Sequence, residues 1–86
     1  MRIGPLRQLI LDYATNQALF TTPAAINDPI EPQPAGMSQA QFNLFFSTLS
    51  AVLADAGVDT ELRLGELRSV QTWSDLAAVI FGRQSE

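Results

Sequence analysis

Ser38 is the side chain on which a case for chemistry can be built in this sequence. It follows Gly36-Met37, and Gln41 stands three residues on, the S-x-x-Q spacing of a helix-opening capping box. A hydroxyl there lies beside unpaired N–H groups and the positive end of a helix dipole. As a nucleophile in its own right Ser38 is poorly served. The 86 residues contain no histidine and no cysteine, so every Ser-His and Cys-His arrangement is missing, and so is the commonest metal ligand. Carboxylates alone remain for magnesium or calcium, and no D-x-[DN]-x-[DN]-G run is present. The chain therefore reads as a non-enzyme, with no catalytic residue and no metal site.

The element that must present Ser38 is legible behind it. Phe42, Phe45, Phe46, Leu49, Val52 and Leu53 recur at i, i+3, i+4 and i+7, one face of a helix reaching about Ala56. Gly57 is placed to end that helix in the left-handed conformation. Leu44 lies off the stripe and is expected to widen the buried face. No charged residue occurs from Pro32 to Ala54, so the opposite face is amides and hydroxyls: Gln39, Gln41, Asn43, Ser47, Thr48 and Ser50.

Three further segments flank this one. Pro5 opens an amphipathic helix in which Leu6, Leu9, Ile10, Tyr13 and Ala14 share a face, ending near Asn16. Leu19 and Phe20 either extend it or anchor the following loop. That loop holds Pro23, Pro29, Pro32 and Pro34; Thr22-Pro23 is read as capping a single turn, and Pro32-Gln33-Pro34 as extended. Ile26 and Ile30 are its expected core contacts. Beyond Asp59-Thr60-Glu61, read as a cap, Leu62–Val70 fits either a hairpin or a short helix weakened by Gly65; with no sheet to join, the helix is favoured. Thr72-Trp73-Ser74-Asp75 opens the last helix, with Trp73, Leu76, Ala77, Ile80 and Phe81 along one face and Gly82 at its end. Trp73 is read as a core anchor. Asp55, Asp59, Glu61 and Glu66 are read as a solvated end.

The totals bound the rest. Residues 1–86 make one small domain, 47% hydrophobic, expected to be an all-α four-helix bundle of three main helices and one short one. The net charge of -4, with five scattered arginines and no lysine, argues against a nucleic-acid partner. No run of 18 apolar residues exists to span a membrane, and no signal-peptide pattern is complete, so a soluble cytoplasmic protein is expected.

This order of helix, long loop, serine-headed helix, short helix and final helix resembles the acyl and peptidyl carrier proteins across nearly the whole chain. Leu6, Leu9 and Ile10 fall at the family's first-helix apolar positions, and Ile30 at its loop anchor. Phe42, Leu44 and Phe45 match second-helix core positions, and Leu67 and Val70 resemble the short third helix and its exit. Thr72-Trp73-Ser74-Asp75-Leu76 resembles the T-V-x-D-L opening of the fourth. The resemblance implies 4′-phosphopantetheine on Ser38, carrying an acyl or aminoacyl group as a thioester in a biosynthetic pathway. It implies as partners a phosphopantetheinyl transferase and acyl- or aminoacyl-transferring enzymes.

The chain departs from the family where partners read it. The family's D-S-L is Met37-Ser38-Gln39 here, and the acids usually displayed on the second helix are absent. The alternative is a carrier-shaped interaction module without the prosthetic group. Its docking surface would be the uncharged helix around Met37, Gln39, Gln41 and Asn43.

Overall fold

The apolar spacing of the first segment does produce a helix, α1, but it runs Ile3–Asn16 and starts before the proline. Pro5 sits at its third position, where an N–H would have no acceptor within the helix; the ladder begins with Leu6 N–H donating to the Arg2 carbonyl at 3.1 Å. Leu6, Ile10, Tyr13 and Ala14 are buried along one side. Leu19 and Phe20 belong to the loop, and Phe20 is a core anchor there.

The computed structural model describes residues 2–83. Three more helices follow: α2 (Gln39–Asp55), α3 (Leu64–Ser69) and α4 (Trp73–Gly82). There is no strand among the described residues, and Pro29 and Thr72 form an isolated bridge. The molecule is a small all-α bundle, as the patterning predicts.

The loop from α1 to α2 is held at several points. Asp28 Oδ2 accepts from the N–H groups of Ala24 and Ala25 at 2.6 and 3.0 Å, so Asp28, and not Thr22, closes the turn there. Ile30 N–H donates to the Gln71 carbonyl and Trp73 N–H to the Asp28 carbonyl, at 2.9 and 3.2 Å. These bonds stitch the loop to the α3–α4 connection, with Ile30 fully buried and Ile26 partly so. Pro34–Gly36 is not extended. Pro34 fixes φ at the head of a 3-10 turn, closed by Gly36 N–H to Gln33 O at 2.9 Å and Met37 N–H to Pro34 O at 3.2 Å.

α2 ends as its glycine requires. Gly57 has φ 75°, with Val58 N–H on Leu53 O at 2.8 Å and Gly57 N–H on Ala54 O at 3.1 Å, and Val58 buried beside the last turn. The segment after it corrects the sequence reading. Asp59-Thr60-Glu61 caps nothing; Glu61 N–H is instead held by the Arg83 carbonyl at 3.3 Å, so α3 starts later, at Leu64, with no side-chain cap. α4 opens as expected, Thr72 Oγ1 accepting from Asp75 N–H at 3.1 Å.

The core is aromatic at its centre. Trp73, Tyr13, Phe20, Phe42 and Phe45 contact one another at tilted or edge-on angles with centroids 5.0–6.5 Å apart. Two expected core residues point outward: Leu44 is 51% exposed and Phe81 45%. Each lies one residue away from the centre of its helix's stripe, and neighbours already fill the interior behind it.

Tyr13 joins α1 to α2 through its hydroxyl, 2.8 Å from Thr48 Oγ1 and 3.3 Å from the Phe45 carbonyl it donates to. Burial pushes its pKa up from 10.0 to about 12, against a smaller lowering by the Thr48 hydrogen bond. The folded chain thus keeps this proton where the unfolded chain has lost it. Stability from this group is complete below about pH 10 and falls as pH rises toward about 12, by at most about 1.4 kcal/mol per pH unit. With one tyrosine, no lysine and no cysteine, no other side chain titrates in that window. Urea midpoints measured at about pH 9 and about pH 11 should drop between the two, and Tyr13→Phe should flatten the drop.

Candidate functional site

Ser38 is exposed, at the N-cap of α2 with extended backbone (φ -64°, ψ 163°). Its Oγ accepts from Gln41 N–H at 3.2 Å, while Ser38 N–H donates to Gln41 Oε1 at 3.1 Å. This is the reciprocal capping box the spacing predicts. The box engages Oγ as an acceptor, and the residue is exposed. Among the described residues no carboxylate or other base contacts it, and the N–H groups of Gln39 and Ala40 have no partner. An exposed hydroxyl flanked by free N–H donors fits a phosphodiester on Ser38. A hydroxyl without a base is suited to being a substrate for modification, not a self-activated nucleophile.

The surroundings separate the other candidate residues. Met37 is only 6% exposed and belongs to the core, because the 3-10 turn before it rolls its side chain inward. It is not part of a docking surface. Gln39, Gln41 and Asn43 are exposed, with Gln39 Nε2 donating to Asn43 Oδ1 at 2.9 Å, so their amides are partly engaged with each other. Leu44, on the same helix, is also exposed. Asp55, Asp59 and Glu61 are solvated.

One neighbour of Ser38 escaped the sequence reading. Arg68, on α3, donates from Nη1 to the carbonyls of Pro34 and Met37 at 3.2 and 3.4 Å, and its guanidinium carbon lies 4.1 Å from the centre of the Phe42 ring. The arginine lies thirty residues downstream of Ser38 in a six-residue helix. No local pattern announces such a contact.

A groove lies elsewhere, between α3 and α4. It is about 920 Å³, open, and lined among others by Arg63, Glu66, Val70, Asp75, Val79 and Arg83. Glu66 and Arg83 pair across it through two hydrogen bonds. The bond from Arg83 holds the Glu66 carboxyl below its usual range. Among the described residues no three potential ligands converge to hold a metal ion. No helix of these residues is long and apolar enough to cross a membrane.

No protein-family model matches the chain, and neither the curated proteins nor the solved structures give a match.

Proposed function

We propose that this chain is a carrier domain, with Ser38 as the attachment point of a phosphopantetheine arm. The observation that carries the reading is the exposed Ser38 hydroxyl at the head of α2, behind a long pinned loop, in a bundle with the carrier order of helices. When bound, the arm would supply a thiol that holds an acyl or aminoacyl group as a thioester. The chain's own part is limited. Ser38 Oγ offers the attachment oxygen, the Gln39 and Ala40 N–H groups favour the negative phosphodiester, and the bundle keeps the serine outside the core. Activation of the hydroxyl belongs to the modifying transferase, since no base contacts Ser38.

The uncharged surface of α2 from Gln39 to Ala54 implies an unusual partner interface. Recognition by acidic steering is unavailable, so partners would read amides, hydroxyls and the exposed Leu44. Incubation with coenzyme A and a broad-specificity phosphopantetheinyl transferase, followed by intact mass, tests the reading. One phosphopantetheinyl increment on the wild type is expected; its absence counts against the proposal.

A second reading is favoured by the completeness of the Ser38–Gln41 box together with the exposure of Leu44. On it, Ser38 only caps α2, and the face of Gln39, Asn43 and Leu44 docks a protein without a prosthetic group. Absence of the mass increment, with Leu44→Asp abolishing association, would select it.

A further inference from the structure

α3 is a weak helix by its own sequence. It has six residues, Gly65 near its start, and no side-chain cap at Arg63. A helix of that length does not persist in isolation, so tertiary contacts must hold it. One is Leu67, fully buried. A second is the Glu66–Arg83 pair, which ties α3 to the end of α4, and a third is Arg68, whose Nη1 bonds to Pro34 O and Met37 O tie α3 to the turn before Ser38. Among the described residues these are the only side-chain hydrogen bonds between α3 and Pro34–Met37. The guanidinium also lies over Phe42, in the first turn of the helix that Ser38 caps. A single side chain thus touches the segment before the serine and the segment after it.

We propose that Arg68 is a positioning residue that joins α3 and the Ser38 turn into one cooperative unit. Whatever loosens α3 then loosens the presentation of Ser38, and whatever grips the Ser38 turn orders α3, by the reciprocity of coupled equilibria. The consequence for modification rests on the reading of Ser38 as the attachment point. The coupling itself does not. A partner that engages α3 would in this way alter access to a hydroxyl it need not touch.

Hydrogen exchange on the full chain tests the coupling with two substitutions. Arg68→Met keeps an apolar stem over Phe42 and loses both donors, whereas Arg68→Lys keeps a charged donor. Arg68→Met should speed exchange in peptides covering 33–41 and 64–70 together, by about tenfold, while peptides from α1 and α4 change by less than about twofold. Arg68→Lys should restore part of the protection. Unchanged exchange, a change confined to one of the two peptides, or an equal rise in α1 and α4 would each overturn the proposal. A parallel loading assay separates the two claims. Arg68→Met should raise KM for the transferase with kcat nearly unchanged, and an unchanged KM would also count against the clamp. A wild-type chain that accepts no phosphopantetheine sinks the attachment reading alone, and the exchange data still decide the coupling.

Discussion

Phe45→Ala should destabilise the chain by about 3–5 kcal/mol, the range for deleting a buried aromatic ring. Phe45 is fully buried, with ring centroids 5.3 Å from Phe20, 6.1 Å from Phe42 and 6.5 Å from Tyr13. The ring therefore joins α1, the loop and α2, and its loss leaves a cavity that three elements border. Small domains hold only about 5–15 kcal/mol in all, so this substitution should leave a large unfolded fraction at ambient temperature. Phe45→Leu keeps most of the volume and should cost less than half as much. Urea unfolding followed by the fluorescence of Trp73, the sole tryptophan and fully buried, would measure both. A loss below about 1 kcal/mol for Phe45→Ala would mean that the aromatic cluster is not the centre of the core.

The second large effect is on Ser38, where two roles can be pulled apart. Ser38→Ala removes the acceptor for Gln41 N–H and should cost about 1 kcal/mol. Ser38→Asp keeps an acceptor at the cap and adds a negative charge at the positive end of the dipole, so its stability should stay within about 0.5 kcal/mol of wild type. Neither variant offers a hydroxyl, and both should lose phosphopantetheine loading completely. Unfolding midpoints and loading, measured on the same three proteins, would show stability tracking the cap and modification tracking the hydroxyl. Loading that persists in Ser38→Asp would move the attachment elsewhere.

The parts of the fold that were legible in the sequence are those set by local chemistry. Ser38 with Gln41, Thr72 with Asp75, and Gly57 announce helix ends because capping bonds span three or four residues. The stripes of α2 and α4 announce burial because their spacing matches the helix repeat. What was hidden depends on contacts between distant segments. The 3-10 turn at Pro34–Gly36 and the burial of Met37 follow from packing against α3, which a reading of Pro32-Gln33-Pro34 as extended cannot supply. α3 starts at Leu64, and not at Leu62, because the chain before it is held at the end of α4. Leu44 faces solvent although it is apolar, since Phe42, Phe45 and Leu49 fill the interior side of that helix. Arg68 is the clearest case: its three contacts near Ser38 are all made across more than twenty residues of sequence.

The same division applies to the candidate site. The serine, its cap and the uncharged face around it could be named from residue types alone. Its clamp could not, and neither could the α3–α4 groove with the Glu66–Arg83 pair across it. One consequence is that the carrier reading stands on Ser38 and the order of helices, not on the α3–α4 groove, which Ser38 does not line.

The most direct test of the central claim is the intact mass of this protein isolated from the cells that make it, with the modified peptide then mapped. A carrier domain predicts a population heavier by one phosphopantetheinyl group, with the increment on the peptide that contains Ser38. A single unmodified mass, or an increment mapped to another residue, would contradict it.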